Sequence, residues 1–183
     1  IMGKIYYSIL YKKDNPEVFL LSNGTEEEKG SPLNKEAYPL LKECKEINFK
    51  GNIEGRDPLF GGVDVLVTDG YSGNIFLKTV EGTAKAMSKM LKDGFKKNIL
   101  TMIGYLFAKS GVNEIKEKMD YKNVGGAMLM GVNGIVIKAH GSSDVRSFLS
   151  ALKNAYMLAD VNVIEKIKKG LNNEKSEWFF LKI

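Results

Sequence analysis

The chain has 183 residues, 44% of them hydrophobic and 27% charged, which suits one globular domain with a sizeable core. Its single cysteine and single histidine exclude an internal disulfide and leave no ligand set for structural zinc, and a lone thiol fits a reducing compartment. The net charge of +5 is carried entirely between Lys85 and Lys118, where eight lysines stand against three acids; the neutral remainder lacks basic residues interleaved with aromatics, so no nucleic-acid partner is expected.

In chain order, Met2, Ile5, Tyr6, Ile9 and Leu10 fall at helical spacing within residues 1–13, and Asn15-Pro16 ends that helix. No small-residue cleavage site follows Lys4, Lys12 and Lys13, so no signal peptide is expected. Glu17 to Ser22 reads as a strand. Asn23 to Gly30 is a loop whose three consecutive acids precede Lys29, either a solvated charged loop or, following a strand end, part of a site. Ser31-Pro32 opens a helix to about Lys45, with serine as cap and proline at the first position. Leu33, Ala37, Leu40, Leu41 and Cys44 share its apolar face, which favours a core role for Cys44 over a catalytic one. Ile47 to Phe49 is a short strand, and Gly51 to Asp57 a shaped loop in which Arg56 either holds phosphate or pairs with Glu54 or Asp57.

The chain is organised around Val63 to Thr79. Val63, Val65, Leu66 and Val67 predict a buried strand, Asp69, Gly70, Ser72 and Gly73 a glycine turn, and Asn74 the start of a helix. Such a junction is either an ordinary tight turn or an anion site built from backbone N–H groups and the positive end of a helix dipole. From Asn74, the residues Phe76, Val80, Ala84, Met87, Leu91 and Phe95 mark one helical face. Asn98 to Ala108 is apolar nearly all round, too short to span a bilayer, and flanked by Lys96, Lys97 and Lys109. Residues 80–119 read as a helical hairpin with an apolar tip, an insertion within a single α/β domain covering 1–183, with a buried helix corner as the alternative. Val124 to Gly134 is a glycine-rich tight loop or short strand, Ile135 to Ile137 a buried strand, and Lys138 to Asp144 another strand end meeting a helix cap. His140 there is either a structural hydrogen bonder or a base. Val145, Phe148, Leu149, Leu152, Tyr156, Ala159, Val163 and Ile167 predict one closing helix with a continuous core stripe, and Trp178-Phe179-Phe180 a tail that packs somewhere. Alternating strands and helices indicate a layered α/β fold.

Five stretches taken together, EEEKGSPLNKEAY, GNIEGRD, VTDGYSGNIFLKTVEG, GGAMLMG and IKAHGSSD, resemble the bacterial phosphate acyltransferase (PlsX) family. The resemblance implies a three-layer α/β/α sandwich like that of isocitrate and isopropylmalate dehydrogenases, with a protruding helical hairpin. It implies transfer of an acyl group from acyl carrier protein to inorganic phosphate in phospholipid synthesis, by a homodimer that is cytoplasmic and attached peripherally to the membrane surface. Family chains are nearly twice as long, so this sequence corresponds to their C-terminal half.

Phosphate is itself the nucleophile, so the chemistry asks for charge, amide donors and positioning, with no cofactor, metal or covalent protein intermediate. The resemblance makes Lys29 and Asn74 active-site residues. Asp69, Gly70, Ser72, Gly73, Arg56 and His140 are candidates for holding phosphate, Asp69 by orienting the turn or Lys29. Ile99, Leu100, Met102, Ile103, Leu106 and Phe107 are candidates for membrane insertion, with burial against a second subunit as the competing account. Two other classes stay open: a phosphate acetyl- or butyryltransferase using coenzyme A, and a non-catalytic module that binds membrane or carrier protein.

Overall fold

A computed structural model of the chain describes residues 1–119, 126–139, 141 and 143–172. They divide into two compact units, one formed by residues 1–69 with those from 126 onward, the other by the helical segment that starts at Gly70.

The first unit is built on a parallel sheet. Helix α1 (Met2–Tyr11) leads to strand β1 (Glu17–Ser22), then α2 (Pro32–Glu43), β2 (Asn48–Glu54), a short 3-10 turn (Asp57–Phe60) and β3 (Val65–Val67). The strand order is β2-β1-β3, with both neighbours parallel to β1. Val18 and Leu20 of β1 are almost fully buried, as are Ile47 and Ile53 beside them. α2 packs on β1 and β2, and α1 on β3. The helix start at Ser31 is as expected: Asn34 N–H donates to Ser31 Oγ at 3.2 Å, with Pro32 in the first turn.

β2 runs well past the three residues expected, and most of the anticipated loop from Gly51 is strand. The reason is a bulge: Val18 pairs with Phe49 but Phe19 with Gly51, leaving Lys50 as the extra residue. Gly51 takes φ 103°, a value a glycine accepts without strain, so a sequence poor in β-formers continues the ladder.

The rest of this unit comprises an antiparallel pair, β4 (Ala127–Met128) with β5 (Ile137–Lys138), and helices α5 (Val145–Asp160) and α6 (Val163–Asn172). Asp144 caps α5, its Oδ1 accepting from Ser147 N–H at 2.9 Å. The single closing helix expected is two. Asn162 adopts φ 51°, the left-handed conformation that asparagine tolerates, and breaks the run. The break turns Val163, Ile167 and Leu171 onto α1, where with Leu158 they form a core against Ile1, Met2, Ile5, Tyr6, Ile9 and Leu10. Apolar periodicity overstated burial elsewhere. Val145, Phe148, Leu149, Leu152 and Tyr156 of α5 are exposed, as are Leu33 and Leu40 of α2. Cys44 is half-buried, and its thiol lies 3.5 Å from Glu46 Oε2, so it is not a core residue. Trp178-Phe179-Phe180 lies outside the described residues.

The second unit consists of α3 (Gly70–Phe95) and α4 (Ile99–Met119), joined through Lys96, Lys97 and Asn98 and packed on each other. Asn98 and Thr101 cap reciprocally: Thr101 N–H donates to Asn98 Oδ1 at 2.9 Å, and Asn98 N–H to Thr101 Oγ1 at 3.1 Å. The rings of Phe95 and Tyr105 meet 5.1 Å apart. α3 begins four residues earlier than expected, so Gly70 to Gly73 are helical and no glycine turn precedes Asn74.

Asp64 ties the first unit together. Its Oδ2 accepts from Lys13 Nζ at 2.5 Å and from Glu17 N–H at 2.7 Å, joining the end of α1, the start of β1 and the approach to β3. Partial burial pushes the carboxyl up, but hydrogen bonds from Lys13, the Glu17 amide and Tyr7 outweigh it and hold the group below the usual carboxylate range. Asp64→Asn is expected to cost about 1–2 kcal/mol near neutral pH, the scale of hydrogen bonds to a charged group. A depressed folded-state pKa contributes stability above the ordinary carboxylate value and loses it as pH falls through the folded value. Denaturant titrations of the two proteins should therefore differ near neutrality and converge in strong acid.

Candidate functional site

Because β1, β2 and β3 are parallel neighbours, the segments following them leave from one edge of the sheet, the carboxyl edge where ligands of open α/β sheets collect. Lys29 follows β1, Arg56 follows β2 and Asp69 follows β3.

The loop after β1 is tightly built despite its charge. Lys29 N–H donates to Glu26 O at 3.1 Å, closing a turn. Asn52 Nδ2, from β2, donates to the same carbonyl at 2.7 Å. Asn34 Nδ2 donates to Leu21 O at 2.6 Å and anchors the end of β1. Glu27 is engaged by Lys42 of α2 at 2.5 Å, and that contact lowers the Glu27 carboxyl and raises the Lys42 ammonium. Lys29 itself is exposed, and among the described residues no carboxylate pairs with it. Of three consecutive acids, one is thus turned to α2 and another gives its backbone carbonyl to the turn.

Arg56 is engaged instead by its neighbours: Nη2 lies 2.7 Å from Glu54 Oε2 and Nε 3.3 Å from Asp57 Oδ1. Phosphate would have to compete with two carboxylates there. Asp69 is half-buried directly after β3, its backbone carbonyl accepting from Thr68 Oγ1 at 3.1 Å. In the second unit, Gly70, Ser72 and Gly73 form the first turn of α3, where a helix presents its amide hydrogens, and Asn74 stands just beyond on an exposed position. His140 lies outside the described residues. On α4, Ile99, Leu100, Met102, Ile103, Leu106 and Phe107 are all exposed, Phe107 to 87%. Among the described residues no cluster of acids, His or Cys could hold a metal ion, and no helix is long and apolar enough to cross a membrane. The residue that sequence reasoning missed is Asn52. It lay inside what read as a loop, and only the bulge makes it a buried strand residue.

The parallel sheet with its loop-borne lysine defines an α/β protein with a ligand edge. Residues 1–166 match the model of the fatty acid synthesis protein family, and the chain belongs to that family. Among its curated relatives, the phosphate acyltransferase of Exiguobacterium sp. is 45% identical over 169 residues, covering 92% of this chain and 51% of its own length. That of Mycoplasma capricolum is 46% identical over 170 residues, covering 93% and 51%. That of Thermosipho melanesiensis is 47% identical over 173 residues, covering 94% and 52%. The chain spans about half the length of the curated relatives it matches.

Gly30 closes the lysine loop at φ 105°, and a Cβ there would sit 2.6 Å from Asn34 Cβ. Gly30→Ala should therefore cost about 1–3 kcal/mol, combining backbone strain with a clash against a capped helix start. A fall in thermal midpoint would accompany any loss of function in this variant; an unchanged midpoint would show the loop to be more plastic than its geometry suggests.

Proposed function

We propose that this chain is the C-terminal part of an acyl-[acyl carrier protein]:phosphate acyltransferase of phospholipid synthesis. The observation that carries the reading is Lys29: an ammonium group unpaired by any described carboxylate, on a pinned loop at the carboxyl edge of a parallel sheet, in a chain whose relatives are named phosphate acyltransferases.

A phosphate oxygen attacks the thioester carbon, the carbonyl oxygen takes the negative charge of a tetrahedral intermediate, and the C–S bond breaks. Acyl phosphate and the carrier thiolate result, and the thiolate takes a proton from water. Lys29 holds phosphate and offsets its charge. Asn74 donates its amide to phosphate or to the oxyanion, and the first turn of α3, residues Gly70, Ser72 and Gly73, adds backbone donors. Asp69 orients that turn or Lys29. Arg56 and His140 are assigned to the phosphate side, Arg56 after release from Glu54 and Asp57. Removing one such donor costs on the order of a hundredfold in rate.

The fold we assign is a three-layer sandwich of the isopropylmalate dehydrogenase kind, with α3 and α4 as its hairpin. The exposed residues of α4 enter the membrane surface, while Lys96, Lys97 and Lys109 near them contribute roughly 1 kcal/mol each at an anionic bilayer. The protein works as a cytoplasmic homodimer attached in this way, and delivers a hydrophobic acyl phosphate directly to the bilayer.

Three outcomes test the reading. Phosphate-dependent release of carrier thiol should occur in the full-length context; if it occurs there but not with this chain alone, the chain is a binding module. Transfer that runs equally well from acyl coenzyme A would favour the coenzyme A enzymes. Lys29→Ala should lower turnover about a hundredfold with the fold retained.

Asn74 lies within a helix, where alanine is favoured by about 0.5 kcal/mol. Asn74→Ala should hold or raise thermal stability while turnover falls; equal turnover would remove Asn74 from the mechanism. Ile103→Glu combined with Leu106→Glu should abolish co-sedimentation with anionic liposomes in a folded dimer. Loss of the dimer in that variant would instead place these residues at a subunit interface.

A further inference from the structure

The Lys29 loop is held from a neighbouring strand by a buried amide, and we propose that Asn52 is the positioning residue of Lys29. The proposal deepens the reading above and rests on Lys29 being the charge that meets phosphate.

Asn52 is 6% exposed, a primary amide inside a sheet flanked by helices. Burying an amide is costly unless its hydrogen bonds are made. Only one side of this amide is satisfied: Nδ2 donates to Glu26 O at 2.7 Å, while Oδ1 has no partner among the described residues. An apolar side chain of the same size would avoid that penalty, so the amide does not serve the core. What it does is local. Glu26 O receives two donors, Asn52 Nδ2 and the backbone N–H of Lys29, so one carbonyl couples β2 directly to the residue whose position matters.

The stem of Lys29 is placed by the same turn. Its Cγ lies 2.8 Å and its Cδ 3.3 Å from where a Cβ on Gly24 would be, so the chain passes over the glycine with no room for a methyl group. The backbone of residue 29 is therefore held by the shared carbonyl, and its stem runs across the space left open at Gly24. Asn52 touches neither the lysine ammonium nor a site for substrate; it acts through the turn.

Asn52→Leu separates this role from a packing role. The variant should keep the wild-type thermal midpoint, while amide hydrogen exchange at Lys29 accelerates at least about tenfold. In the same variant kcat should fall about tenfold, with the KM for acyl carrier thioester within about twofold of wild type. Exchange at Lys29 that matches wild type in the folded variant overturns the proposal, and so does a fall in kcat that only tracks a fall in midpoint. Should the leucine variant fail to fold, Asn52→Asp carries the test, since it keeps the shape and replaces the donor by an acceptor. Corrected for intrinsic rates, its Lys29 exchange should be fast at neutral pH and return toward wild type as acid restores an O–H donor; pH-independent exchange at the wild-type rate overturns the proposal. The exchange measurement needs no turnover, so an inactive wild type with a responsive Lys29 amide would count against the acyltransferase reading and not against the coupling.

Discussion

β1 gives both of its hydrogen-bonding edges to parallel neighbours, and the rest of the first unit follows from that commitment. A strand paired in parallel on both sides must have its connections made by long crossovers, which is why α2 and the segment from residue 55 to 64 lie between the strands in sequence. It must also be covered on its faces, which is why Val18 and Leu20 are the most secluded residues of the sheet. The same pairing sends the segments bearing Lys29, Arg56 and Asp69 off one edge. Asp64 secures the opposite edge, where a single carboxylate receives the backbone of β1 and the ammonium of Lys13.

The legible part of this fold is the part governed by local chemistry. Ser31-Pro32 announced α2 because a cap and a fixed φ act within four residues. Glu17 to Ser22 announced β1 because its apolar run is dense enough to leave no competing period. What misled was composition without context. Glycine and asparagine in NFKGNIE look like loop, yet the bulge at Gly51 absorbs the glycine and burial against the loop employs the asparagine. The heptad-like row on α5 looked like core, but periodicity reports only that apolar residues share a face, not that anything in this chain covers it. Glycines 70 and 73 suggested a turn, and nothing local forbade the helix from starting at the first of them.

Within the candidate site the legibility divides along the same line. Lys29 stood out as a cation beside three acids, and only the three-dimensional structure shows one of them, Glu27, drawn off by Lys42 and the backbone carbonyl of another, Glu26, tied to Asn52. Arg56 shows the opposite outcome. Its carboxylate neighbours at positions 54 and 57 are close in sequence and remain close in space. Charge neutralisation here is decided less by which residues are adjacent than by which backbone turn directs them.

The extra residue at Lys50 also sets the parity of everything after it on β2. With the bulge, Asn52 stands opposite Leu20 and shares the face on which that side chain is buried; counted without it, Asn52 would stand opposite Leu21 and face the other way. The single inserted residue thus acts as a phase shifter between two halves of one strand. The half before it, Asn48 and Phe49, is only half-buried, and the half after it carries the strand's buried residues, Asn52 and Ile53. Loss or gain of one residue at that point would leave hydrophobicity, length and pairing partners almost untouched, yet exchange the inside and outside of the segment that holds the lysine loop.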